Sequence, residues 1–251
     1  MHMFEKVHGI VLRTRDYGET NKIVTLYTKE YGLMSAVAKG AKKSRSRMAA
    51  VTQPFIYGQY IMHVGKGLGS LQQGEPIDSM RAIREDIVKT AYATYMSELL
   101  MKSLEEKEPI SWVFEELQVS LEKIADNQEA LAITCMFELK MYRVSGISPM
   151  ITSCVNGHDN SPIVSFSIAE GGVLCQQCRF KDTTAIPLEA NTYRVLRMMH
   201  DLSVKQIRDV QLKQETLVAI RNILEGYYDW YGSIPIKSRK FLKQLHLFES
   251  E

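Results

Sequence analysis

Apolar and polar positions alternate along the first part of the chain and then change to a helical period. The segments Lys22-Ile23-Val24-Thr25-Leu26-Tyr27-Thr28 and Phe55 to Val64 carry the alternation of half-buried strands. Turn signals punctuate them at Asp16-Tyr17-Gly18, Glu30-Tyr31-Gly32 and Gly65-Lys66-Gly67-Leu68-Gly69. The pattern predicts strands at about 7–15, 21–28, 33–39, 54–64 and 70–77. Strands this short and this closely spaced suit a small closed barrel, either an OB-fold or an SH3-like barrel. From Ile83 the spacing becomes three and four: Ile83, Ile87, Val88, Ala91, Tyr92, Tyr95, Leu99, Leu100 and Leu104 predict one amphipathic helix of about 22 residues. A second helix is predicted after Pro109, with Ser111 as N-cap and Trp112, Val113, Leu117, Leu121 and Ile124 on its buried side. A third runs from about Gln128 to Val144, apolar on nearly all faces, and stops at Gly146. Residues 148–185 break the pattern, and helices resume at about 188–201, 203–209 and 213–231, followed by a short basic helix, Lys237 to Leu245. On the third of these, Leu217, Ile220, Ile223, Leu224, Tyr227, Tyr228 and Trp230 mark the apolar side. The predicted architecture is α+β and multidomain: a barrel over 1–79, a helical domain in two parts (80–147 and 186–251), and an insertion over 148–185.

Composition is that of an ordinary globular protein, with 45% hydrophobic and 24% charged residues. No run approaches the roughly 18 apolar residues that span a bilayer, so no membrane role is expected. The start lacks a basic region followed by a long apolar stretch, and a cytoplasmic location is expected. A net charge of +2 conceals an asymmetry: residues 1–50 hold ten Lys/Arg against four Asp/Glu. Charge concentrated in this way argues for a local polyanion site.

The densest part is Lys39-Gly-Ala-Lys42-Lys43-Ser-Arg45-Ser-Arg47, five cations in nine residues between two predicted strands. Cations on a barrel connection displace counterions from a phosphate backbone without disturbing a core. A solvated surface loop is the competing account. Arg13 and Arg15 share one strand face beside it, while Arg81 and Arg84 are candidates to widen the positive surface. Tyr57 and Tyr60 offer rings for base stacking, although they lie on opposite faces of one strand. Lys237, Arg239, Lys240 and Lys243 form a second basic stretch. In the insertion, Cys154-x-x-x-His158 and Cys175-x-x-Cys178 are separated by 16 residues and a Gly-Gly turn signal. That spacing suits a structural Zn2+ site with Cys154, His158, Cys175 and Cys178 as ligands, and a dithiol redox pair is the rival. Cys135, inside an apolar helix, is expected to be a small core residue. Glu105-Glu106 and Glu115-Glu116 are expected to be solvated, and His8, His63 and His200 have no sequence-adjacent nucleophile. With no phosphate loop, His-Glu-x-x-His or Gly-x-Ser-x-Gly motif, the expected function is binding without catalysis. A zinc-stabilised RNA-binding module and a protein adaptor that does not bind DNA are the alternatives.

The ordered set Gly9-Ile10-Val11-Leu12, Asp16-Tyr17-Gly18-Glu19-Thr20-Asn21-Lys22-Ile23, Tyr31-Gly32, Lys39 to Arg45 and Gln53-Pro54-Phe55 resembles the bacterial RecO family of DNA-repair mediators. The likeness extends over essentially the whole chain, with the cysteine insertion supporting it. It implies an N-terminal OB-fold, a helical domain and a zinc-knuckle-like module. It also implies binding of single- and double-stranded DNA, annealing of complementary strands, and work with a RecR partner. Through these, RecA would load onto DNA coated by single-strand-binding protein, whose acidic C-terminal tail the family recognises. A bacterial, nucleoid-associated setting follows. Lys39, Lys42, Lys43, Arg45 and Arg47 match the family's basic DNA-binding segment. One departure is that Gly157 and His158 stand where many relatives complete a Cys-x-x-Cys pair.

Overall fold

The structure, a computed structural model, describes residues 4–65, 67–207 and 212–248. The chain divides into two compact units: Met1–Ala130 with Ile236–Glu251, and Leu131–Pro235. Helices that the sequence pattern grouped apart from the barrel therefore share its unit. Lys66, read as part of a turn, and Arg208–Asp209, read as the end of a helix, lie outside the described residues.

In the first unit, β1 (Phe4–Tyr17), β2 (Asn21–Thr28), β3 (Gly32–Ala38), β4 (Tyr57–His63) and β5 (Gly69–Asp78) form a closed ring in the order β1-β2-β3-β5-β4. Strand β1 serves two neighbours, since Phe4–Ile10 pair with β4 and Gly9–Tyr17 pair with β2. Closure comes from a short parallel contact of Ala36–Ala38 with Gly69–Leu71. Val7, Val11, Val24, Leu26, Met34, Ala36, Tyr60, Met62 and Leu71 fill the interior. The register shifts between Val11 and Arg13, where two steps on β1 oppose one on β2. This bulge reverses the in–out alternation, so the residues after it that oppose outward-facing Ile23 and Thr25 are Arg15 and Arg13. Paired without the bulge, with Leu12 opposite Thr25, the same sequence would set Arg13 opposite Val24, which faces the core.

Gly32 turns β2 into β3 at φ +67, and a Cβ there would sit 2.5 Å from the Glu108 carbonyl oxygen. A short helix, α1 (Arg47–Val51), follows the basic loop, and Phe55 takes φ +71, so the fourth strand begins at Tyr57 and not at Pro54. The predicted long helix is two pieces, α2 (Arg81–Arg84) and α3 (Ile87–Ser103). The break is set by Asp86, whose carboxylate accepts the Val88 and Lys89 amides as N-cap of α3. Ser111 begins α4 (Ser111–Ala125), with Ile110 at the cap position and Trp112 42% exposed rather than buried. Near its end, Lys89 Nζ donates to the carbonyl of Ala125, covering an acceptor that the helix leaves open. The last helix, α8 (Ser238–Phe248), is attached to α3 by Glu98, which accepts the Lys237 and Ser238 amides and the Ser238 hydroxyl.

In the second unit, α5 (Ala130–Val144) is buried on all sides from Leu131 to Tyr142, as its unbroken apolar surface predicts. Three strands, β6 (Ile163–Ser167), β7 (Gly172–Cys175) and β8 (Ile186–Pro187), form a sheet in the order β7-β6-β8. They are followed by α6 (Ala190–Asp201), a 3-10 turn (Val204–Gln206) and α7 (Gln214–Tyr231). Arg221 of α7 places its guanidinium 2.6 Å from Glu138 of α5 and 2.9 Å from Glu225, so the buried charges are paired. Trp230, expected on the apolar side of α7, is 68% exposed.

Candidate nucleic-acid interface and metal centre

The basic loop leaves β3 after Ala38 and is held by backbone bonds. Lys43 N–H donates to Gly40 O, Ser46 N–H to Lys43 O, and Lys42 N–H to Thr20 O. Asn21 Oδ1 accepts from the Gly40 amide, and the buried Ala41 belongs to the barrel core. These contacts fasten the loop to the tip of the β1–β2 hairpin. Lys39, Lys42, Lys43, Arg45 and Arg47 are all exposed, as are Arg13 and Arg15 on the outer face of β1. Lys42 is different from the rest: its ammonium lies 2.9 Å from Asp16 Oδ2. That hydrogen bond holds the Asp16 carboxyl below the usual carboxylate range. Among the described residues, no acidic group pairs with Lys39, Lys43, Arg45, Arg47, Arg13 or Arg15. The candidate interface is thus six free cations and one partly neutralised. The sequence marks Asp16 as a turn residue and not as a partner of Lys42, because that contact depends on hairpin geometry and not on spacing.

Other candidate features lie elsewhere or are otherwise engaged. Arg84 donates to the carbonyls of Pro54 and Ser79, and Arg81 pairs with Glu85, so neither is a free surface charge. Tyr60 is buried, with its hydroxyl bonded to Val51 O, and Tyr57 packs edge-on against Phe114. Arg239 in the second basic stretch is buried. Glu116, expected in solvent, is 7% exposed.

The cysteine cluster is assembled in the second unit by two tight turns and a strand end. In the first turn, Gly157 at φ +76 lets its amide donate to Cys154 O at 2.8 Å, which aims His158 back toward the strand. In the second, the Cys178 amide donates to Cys175 O at 2.9 Å. Val155 N–H donates to Val173 O, fastening the first turn to β7. The ligand atoms of Cys154, His158, Cys175 and Cys178 lie within 4.8 Å of one another. His158 Nδ1 is 3.5 Å from Cys175 Sγ and 3.2 Å from Cys178 Sγ. Metal–sulfur bonds of about 2.3 Å and metal–nitrogen bonds of about 2.0–2.1 Å in a tetrahedron would put such atoms about 3.6 Å apart. The four residues fit a metal ion.

Electrostatics points the same way. All three cysteines are buried, whereas His158 is exposed. Burial opposes ionisation of Cys175, yet hydrogen bonds from His158, Ser161 and the Cys178 and Gln177 amides outweigh it and bring that thiol down. Burial and the neighbouring Cys154 and Cys175 push the Cys178 thiol up. Buried thiols this close cannot all ionise unless a cation joins them. No disulfide links them. Cys135 is buried within α5, apart from this set.

Fold and sites together define a class: a small barrel with a cationic loop, followed along the chain by helices with a Cys/His cluster on turns inserted among them. The comparisons with known proteins resolve it further. The family described as "Recombination protein O N terminal" matches residues 1–80, and "Recombination protein O C terminal" matches residues 84–240. Proteins named "DNA repair protein RecO" are similar throughout. That of Oceanobacillus iheyensis is 45% identical over 98% of this chain and 95% of its own length. Those of Bacillus pumilus and Bacillus subtilis are 46% and 42% identical, each over 97% of this chain and 95% of its own length. The chain belongs to the RecO family of DNA repair proteins. No helix of the described residues is long and apolar enough to cross a membrane.

Proposed function

We propose that this protein is a recombination mediator that binds single- and double-stranded DNA through the loop after β3 and the outer face of β1. Lys39, Lys42, Lys43, Arg45, Arg47, Arg13 and Arg15 contact phosphates, and the barrel is an OB-fold. The observation that carries the reading is the fastened loop with unpaired cations, in a chain of the RecO family. A cationic surface lowers the repulsion between two phosphate backbones, so complementary strands approach and pair, with the bases supplying selectivity. Covalent bonds are untouched in this mechanism, and the protein is not an enzyme. With RecR it helps RecA load onto DNA coated by single-strand-binding protein, whose acidic C-terminal tail it recognises, in the bacterial cytoplasm at the nucleoid.

Cys154, His158, Cys175 and Cys178 hold a Zn2+ ion, which cross-links the two turns and leaves no open position for a substrate. The test of the DNA reading is the salt dependence of single-strand binding. Replacing Lys42, Lys43, Arg45 and Arg47 with Ala should weaken binding to all sequences and flatten the slope of log K against log[salt] by about 2 to 3, at about 0.7 for each of three unpaired cations and less for Lys42, which shares its charge with Asp16. An unchanged slope would place the DNA elsewhere. Equal loss of RNA and DNA binding would leave the RNA alternative standing.

A further inference from the structure

We infer that Tyr17 is a base-stacking platform that makes the cationic face of the barrel favour single-stranded DNA over duplex. The inference rests on reading that face as the DNA-binding surface. Beyond the β1 bulge, Arg13, Arg15 and Tyr17 follow one another at two-residue steps and so share the outer face. All three are exposed, and Tyr17 is 49% exposed although its ring is large and apolar.

The other tyrosines of the barrel are used by the fold. Tyr27 bonds to Ile110 O and packs against Phe114, Tyr57 packs against the same ring, Tyr60 is buried, and Tyr31 lies against the barrel core. Among the described residues, no other ring packs against Tyr17. Its surroundings are those of the proposed interface. The preceding residue, Asp16, which alternation sets on the other side of the strand end, binds Lys42, and the cross-strand partner of Tyr17, Asn21, accepts the Gly40 amide. The ring therefore projects from the strand end to which the basic loop is fastened. The turn that follows is open, since apart from its chain neighbours a Cβ on Gly18 would meet nothing within 4 Å. Glu19 is exposed at the same tip and subtracts from the local charge, whereas the charge of Asp16 is engaged by Lys42.

The chemistry separates the two kinds of DNA. Phosphates are common to both, so the cations alone bind either. A base in a duplex has both faces covered by its neighbours, while a base in a single strand can turn onto an aromatic ring. A stacking tyrosine therefore adds affinity for single strands only, with no dependence on salt beyond that of the phosphate contacts.

The experiment measures binding of the full chain to an oligothymidylate and to a duplex of equal length, across a range of salt, by fluorescence anisotropy. Tyr17→Ala should weaken oligothymidylate binding by about five- to 150-fold, the range that stacking on one aromatic ring covers, and leave the salt slope and duplex binding unchanged. Tyr17→Phe, which keeps the ring, should bind like the parent. The basic-loop variant should lose affinity for both DNAs and flatten both slopes. A Tyr17→Ala protein that binds oligothymidylate like the parent, or that weakens on both DNAs alike, overturns the inference and leaves the loop reading intact. A loop variant that binds both DNAs like the parent overturns the surface reading, and this inference with it.

Discussion

The loop after β3 and the turns around β7 each gather side chains that carry charge, the first in water and the second away from it. Among the described residues, four cations of the loop and two of the adjoining β1 face lack an acidic partner, and the loop is held by backbone hydrogen bonds, the Asn21 side chain and one buried alanine. Like charges in water repel weakly, so such a site is additive and each cation can be removed separately. In the cluster, three buried thiols and an imidazole converge within 4.8 Å, and low polarity makes their joint ionisation depend on a cation. That site is all-or-none. On the proposed function, the difference separates a surface that would act on a partner from a core that would sustain the fold.

The largest expected effect breaks the all-or-none side. Cys178→Ser should abolish metal binding and lower the unfolding midpoint by many degrees, because apparent zinc binding in small metal-folded peptides is worth about 10–16 kcal/mol. Metal content by atomic absorption and a thermal melt with and without chelator check this. Chelator-insensitive melting of the parent would deny the cluster a structural metal.

A smaller effect belongs to the attachment of α8. Burial raises the Glu98 carboxyl, but hydrogen bonds from Ser238 and Lys237, with Lys102 nearby, outweigh it and leave the group below its ordinary value. Its folded value is depressed, so its contribution is complete above the unfolded value of about 4.3 and is lost as the pH falls through the folded value. Melting midpoints of the parent and Glu98→Gln should therefore differ at pH 7 and converge toward pH 3. A constant difference would mean that the carboxylate charge does not matter.

The smallest effect sharpens the additive side. Asp16→Asn releases Lys42, and the salt slope of single-strand binding should steepen by up to about 0.7. A slope that flattens instead would mean that Asp16 orders the loop and that this order matters more than the charge.

How much of this could be read beforehand follows the same division. Alternation located the strands of the barrel because each has one face in a single core, and the two Cys/His half-sites were readable because ligand spacing is local. The bulge at Leu12 was not, since an added residue appears only when β1 is matched to β2. Nor was the break between α2 and α3, because apolar residues at Ile83 and Ile87 keep a helical step across a cap set by Asp86. Trp112 and Trp230 followed helical spacing and are nonetheless exposed, since periodicity marks a face without saying whether anything covers it. The return of α8 to the unit of α3 and the barrel is marked by Glu98 meeting Ser238 across 140 residues, for which the sequence carries no local signal.

The most direct measurement is annealing of two complementary strands, each coated with the cognate single-strand-binding protein, by the parent and by the Lys42/Lys43/Arg45/Arg47→Ala variant as salt is raised. A mediator acting through this loop predicts fast annealing that salt suppresses and that the variant lacks while melting like the parent. Equal annealing by parent and variant at every salt concentration would contradict it.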